Sequence, residues 1–132
     1  MTNDNDRKNK RILLVDDEPD VTYTLEIVLE DNGFMVDSYT DPTLALSNFK
    51  PGLYDLLLLD IRMPTINGFD LYQKMKEIDS NVKMCFLTAS ELFYEEYRRL
   101  DAYPRLDMAY FIQKPCRSQD LIRQVNEILR SH

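Results

Sequence analysis

Leu56-Leu57-Leu58-Leu59-Asp60 sets four consecutive leucines directly before an acid. An unbroken apolar run of this length, bounded by polar residues, fits a strand buried on both faces. Such strands belong to parallel sheets covered by helices on either side. The predicted strand runs from Asp55 to Leu59, so Asp60 stands at its carboxyl end. Three further runs end alike: Leu13-Leu14-Val15-Asp16-Asp17, Cys85-Phe86-Leu87-Thr88 and Tyr110-Phe111-Ile112-Gln113-Lys114-Pro115. Ligands of open α/β sheets bind in the crevice outside the carboxyl ends of the strands.

Between these runs lie helical patterns. Pro19 suits a first helical position, and Val21, Leu25, Val28 and Leu29 supply an apolar stripe that stops at Asp31-Asn32-Gly33. A second strand covers Phe34 to Tyr39. Asp41-Pro42 reads as cap and first turn of a second helix with Leu44, Leu46 and Phe49 inward, ending at Pro51-Gly52. After the third strand, Pro64 and the turn pair Asn67-Gly68 lead to a helix from Phe69 to about Asp79 with Leu71, Met75 and Ile78 inward. The fourth strand spans Val82 to Leu87 and the fifth about Ala109 to Gln113. A last helix spans Ser118 to Arg130, with Ser118 as its cap and Leu121, Val125, Ile128 and Leu129 as its core stripe. Alternation of this kind predicts an α/β fold, a doubly wound five-stranded parallel sheet with helices on both faces.

The chain has 132 residues, 44% of them hydrophobic, which fits one domain. A net charge of −7 argues against nucleic acid or anionic membrane as the main partner. No apolar run approaches the roughly 20 residues of a membrane span, and the polar start has no signal-peptide core. The expected compartment is the cytoplasm. Residues 1–10 read as a disordered polar tail. Two cysteines, Cys85 and Cys116, make no disulfide framework, and the single histidine is His132.

Taken singly, the polar strand ends have ordinary explanations. Asp16-Asp17 fits helix capping, Asp60 fits a strand terminus, Thr88 fits a strand, and Lys114 fits a solvated loop. Glu18 belongs to the same acidic cluster without an evident role. Together they carry more weight, because folding does not require all five groups at the same end of the sheet. Clustered carboxylates repel one another unless a cation is present. Oxygen ligands with room for water suit Mg²⁺ or Mn²⁺ rather than zinc. Three carboxylates, one divalent ion and one lysine sum to zero charge, so a phosphoryl group can be accommodated.

The set Leu-Leu-Val-Asp16-Asp17-Glu-Pro, Leu-Leu-Asp60-Ile-Arg-Met-Pro64, Asn67-Gly68, Leu-Thr88-Ala89 and Gln-Lys114-Pro115 resembles the receiver domain of two-component response regulators, the CheY-like family. The match runs from about Arg11 to Arg130. The resemblance implies a flavodoxin-like sheet of order 2-1-3-4-5 and a receiver over residues 11–131 without an output domain. It implies that Asp60 accepts a phosphoryl group from a phosphohistidine. Asp17 and Asp60 would coordinate Mg²⁺ with the backbone carbonyl of Arg62, Asp16 would act mainly through water, and Lys114 would pair with the phosphoryl oxygens. Thr88 and Phe111 would form a switch, and Arg62 and Ser90 would tune the lifetime of the acyl phosphate. Implied partners are a sensor histidine kinase or histidine phosphotransfer protein, and a downstream protein on the face of the fourth helix, fifth strand and fifth helix.

The stretch between Thr88 and Lys114 departs from the family pattern. It is a few residues long for the family, lacks the glycine expected before the fifth strand, and carries Phe93, Tyr94, Tyr97 and Tyr103. A shortened fourth helix and an added loop at Arg105 to Met108 are expected there. The leading function is a stand-alone, phosphorylation-controlled switch rather than a turnover enzyme. The alternatives are a phosphorelay intermediate and, in a different class, a Mg²⁺-dependent phosphatase of the haloacid dehalogenase type. That chemistry wants Asp-x-Asp after the first strand, where this chain has Asp16-Asp17-Glu18.

Overall fold

The computed structural model describes residues 10–89 and 110–131. In chain order the described elements are β1 (Arg11–Val15), α1 (Pro19–Asp31), β2 (Met35–Tyr39), α2 (Pro42–Ser47), β3 (Leu56–Asp60), α3 (Gly68–Ile78), β4 (Lys83–Thr88), β5 (Phe111–Gln113) and α4 (Ser118–Arg130). The five strands form one sheet of order β2-β1-β3-β4-β5. Every pairing is parallel, with Ile12 opposite Leu56, Leu57 opposite Met84 and Phe86 opposite Phe111. The expected fold class and strand order are both present.

β3 lies at the centre, and all five of its residues are buried. Burial of a leucine side chain contributes about 1.5–3 kcal/mol, so this run anchors both layers. Leu57 and Leu59 face a core closed by α2 and α3 through Ala45, Phe69, Leu71 and Met75. Leu56 and Leu58 face the opposite core, closed by α1 and α4 through Leu25, Leu29, Leu121 and Val125. The two-residue period of a strand divides the leucines between the faces.

Local chemistry sets the helix ends. Pro19 opens α1, and Asn32 ends it before Gly33 at φ 94°. The Asp41 carboxylate accepts the Thr43 N–H at 2.9 Å, and the Asn67 side chain accepts the Asp70 N–H at 2.9 Å, each capping its helix.

Several details differ from the sequence expectation. Asn67-Gly68 is the cap and first residue of α3, not a separate turn. The cap position of α4 is held by Arg117, and Ser118 is already helical. Leu44 is 53% exposed and Ile78 43% exposed. α2 has only six residues and buries Pro42 and Ala45 instead. Ile78 lies at the last position of α3, where the next turn that would cover it is missing. The tail at residues 1–9, the aromatic stretch with Ser90, and the shortened helix and loop at 105–108 lie outside the described residues.

Candidate metal and phosphoryl site

The carboxyl ends of β1, β3 and β5 bring four charged groups together. Asp16 follows β1 and is fully buried, Asp60 ends β3 and is 5% exposed, and Asp17 is partly buried. One oxygen from each of these three acids lies within 4.8 Å of the others. The Lys114 ammonium reaches into the cluster from the end of β5. Its Nζ lies 2.9 Å from Asp16 Oδ2, 3.4 Å from Asp60 Oδ1 and 3.6 Å from Glu18 Oε1.

Backbone hydrogen bonds between neighbouring strands hold these positions. The Asp16 N–H donates to the Tyr39 carbonyl at 3.2 Å, the Ile61 N–H to Leu87 at 3.1 Å, and the Lys114 N–H to Thr88 at 2.7 Å. Asp16 Oδ1 also accepts the Glu18 N–H at 3.0 Å, which turns the chain into α1. The Lys114–Pro115 peptide bond is cis.

The electrostatics follow from this crowding. Burial, then the adjacent Asp16 charge, pushes the Asp60 carboxyl up to about 7, with Lys114 opposing the rise. Burial pulls the Lys114 ammonium down, but its hydrogen bond to Asp16 and the attraction of Asp60 and Asp16 outweigh that and hold it above its ordinary value. Three acids against one lysine leave an excess of negative charge. A divalent cation bound by oxygen ligands offsets both the burial of the Asp60 charge and the repulsion from Asp16, so the donor set fits Mg²⁺.

The expected residues have distinct surroundings. Thr88 is buried beside the cluster, and Ala89 is exposed at its mouth. Phe111 is buried, with its ring 5.6 Å from Phe86. Thr88 lies two residues after Phe86, and Phe86 pairs with Phe111. The strand period therefore puts Thr88 and Phe111 on one face of the sheet, the arrangement a coupled pair needs. Arg62 is exposed, two residues after Asp60.

Gly68, read from the sequence as half of a turn pair, has a closer task behind Asp60, and Thr65 was not singled out at all. A Cβ on Gly68 would stand 2.3 Å from the Asp60 carbonyl oxygen and 3.0 Å from the Ile61 Cα. Only glycine lets α3 start this close to the Asp60 backbone. Its N–H also donates to the Ile61 carbonyl at 2.8 Å. The signal was Asn67, a favoured helix cap, which puts Gly68 at the first helical position. Thr65 has φ 76°, and the Ile66 N–H donates to the Pro64 carbonyl at 2.8 Å. That i to i+2 bond makes a strained γ-turn in the exposed loop between β3 and α3, and no sequence rule places a β-branched residue there.

A family model described as the response regulator receiver domain matches residues 12–126. The transcriptional regulatory protein DltR of Streptococcus agalactiae (serotype III, strain NEM316) is 31% identical over 115 residues, which is 87% of this chain and 50% of DltR. PrrA of Mycobacterium leprae is also 31% identical, over 91% of this chain and 50% of PrrA. The chain thus spans about half the length of the curated relatives it matches. A CheY-like receiver domain protein from Methanospirillum hungatei JF-1 superposes with a TM-score of 0.77 at 25% identity, covering 92% of this chain and 94% of its own.

Proposed function

The chain belongs to the response regulator receiver domain family, and from that premise we propose that it is a two-component phosphoryl switch with Asp60 as acceptor. The observation that carries the proposal is the position of Asp60. It is a buried carboxylate at the end of the central strand, with Asp16 and Asp17 beside it and Lys114 at 3.4 Å.

In the proposed reaction an Asp60 carboxylate oxygen attacks the phosphorus of a phosphohistidine. The P–N bond breaks, an O–P bond forms, and the imidazole leaves with the proton it carries. Asp16, Asp17 and Asp60, with the Arg62 backbone carbonyl, would hold Mg²⁺, which Mn²⁺ can replace. The cation supplies neutralising charge for the carboxylates and the phosphoryl oxygens. Lys114 turns its ammonium from Asp16 toward the incoming oxygens and stabilises their charge. Ala89 leaves the mouth open to the donor.

Thr88 then takes up a hydrogen bond to the phosphoryl group, and Phe111, on the same face of the sheet, follows its displacement. The donor is a sensor histidine kinase or histidine phosphotransfer protein, in the cytoplasm. Asp60 is loaded stoichiometrically, so the domain acts as a switch rather than a turnover enzyme. Arg62, at the rim, sets how readily water reaches the acyl phosphate.

The test is intact-protein mass after incubation with phosphoramidate and Mg²⁺. The expected result is one phosphoryl adduct on the wild type and none on Asp60→Asn. An equal adduct on both proteins, or continuous turnover of small phosphate esters, would overturn the proposal.

A further inference from the structure

Glu18 is the acid of the cluster to which phosphoryl transfer assigns no task. It holds the N-cap position of α1, yet its side chain makes no capping hydrogen bond. Asp, Asn, Ser and Thr cap well because their oxygens reach the first-turn N–H groups, and glutamate is not among them. Its backbone carbonyl does serve the helix, accepting the Thr22 N–H and the Thr22 hydroxyl, each at 3.0 Å. The carboxylate points elsewhere, to Lys114 Nζ at 3.6 Å. A local choice that gives the helix no cap is where a functional constraint shows.

The surroundings say what that constraint is. Glu18 is the third acid on Lys114, after Asp16 and Asp60, and its side chain is 63% exposed. It lines a cleft of about 430 Å³ together with Lys114, Ala89, Pro115 and Cys116.

We propose that Glu18 is a rate-setting counter-charge at the mouth of the site, drawing Lys114 away from Asp60, opposing entry of an anionic phosphoryl group and favouring the divalent cation. This inference rests on the receiver reading of the site. With a divalent ion bound, Asp16, Asp17, Asp60 and Lys114 sum to zero, and Glu18 makes the total −1. Phosphorylation replaces the single charge of Asp60 by a phosphoryl dianion and adds further negative charge. Removal of the Glu18 charge therefore helps the phosphoryl group and weakens the cation. A purely structural role would move both in the same direction.

The experiment compares wild type, Glu18→Gln and Asp20→Asn. Asp20 lines the same cleft and makes no ion pair with Lys114, so it controls for general surface charge. Calorimetry measures Mg²⁺ affinity, and intact mass follows labelling by phosphoramidate at saturating Mg²⁺. In that reaction the phosphoramidate P–N bond breaks, the Asp60 O–P bond forms, and the nitrogen leaves as ammonia. Glu18→Gln is expected to label about two- to fivefold faster and to bind Mg²⁺ about two- to fivefold more weakly, as one exposed charge pair allows. Both effects should shrink as ionic strength rises. Unchanged or slower labelling of Glu18→Gln, or an equal gain in Asp20→Asn, overturns the inference and leaves the receiver reading standing. A wild type that neither binds Mg²⁺ nor accepts the phosphoryl group overturns both.

Discussion

At the scale of single residues, Asp60 ties function to pH. Its carboxyl is raised to about 7 in the folded chain, from an ordinary value of 3.8. The folded state therefore binds more protons than the unfolded state between those limits, and without a divalent cation the stability from this group falls as pH rises through about 7. Metal-free wild type should lose stability relative to Asp60→Asn between pH 4 and pH 8 in urea unfolding, and added Mg²⁺ should remove the difference. Gly68 acts on the same group through the backbone. In Gly68→Ala the new methyl meets Asp60 and Ile61 main chain, so a loss of about 1–3 kcal/mol is expected. Labelling by phosphoramidate should fall at least about tenfold even where the variant is fully folded, because small displacements of a reacting group are costly.

At the scale of elements, much was legible in sequence wherever one physical pattern dominated. α1 and the last helix appear at their expected bounds because apolar period, Pro19 and Asn32-Gly33 agree. Asp16, Asp17, Asp60 and Lys114 were identifiable because strand polarity alone carries them to one edge. Features that depend on close approach between elements were not. The Lys83 ammonium, at the start of β4, donates to the Leu129 carbonyl at 2.8 Å and to the Ser131 carbonyl. It caps α4 from 46 residues away, which no local motif announces. A cation at a helix C-terminus contributes about 0.3–1 kcal/mol, up to about 2 when partly buried. Lys83→Ala should therefore cost about 1–2 kcal/mol in urea unfolding. The loop after β3 offers the reverse case. Relief of the positive φ at Thr65 is worth about 1–3 kcal/mol, against about 0.5–1 kcal/mol for the added freedom of glycine. Thr65→Gly should raise stability by about 1 kcal/mol, seen as a higher urea midpoint at unchanged slope.

At the scale of the whole molecule, the two cores divide labour beneath the site. α1 and α4 close one face and α2 and α3 the other, while the charged groups stand above both at the strand ends. Thr88 and Phe111 share the face of α2 and α3, whereas Lys114 emerges from an edge strand of only three residues. Among the described residues no helix is long and apolar enough to cross a membrane.

The register of the sheet has a kinetic consequence. Arg11 pairs with Met35, Ile12 with Leu56, Leu56 with Lys83 and Phe86 with Phe111, so among the described strands no ladder runs through a tight hairpin. Each rung closes a long loop before it returns any contact energy. The transition state must assemble β1 and β3 across a sequence separation of 44. Refolding followed by stopped-flow tyrosine fluorescence should therefore take milliseconds to seconds, far slower than a helical bundle of equal size. Leu58→Ala, at the meeting point of those two strands, should slow the folding arm of the chevron more than it speeds the unfolding arm.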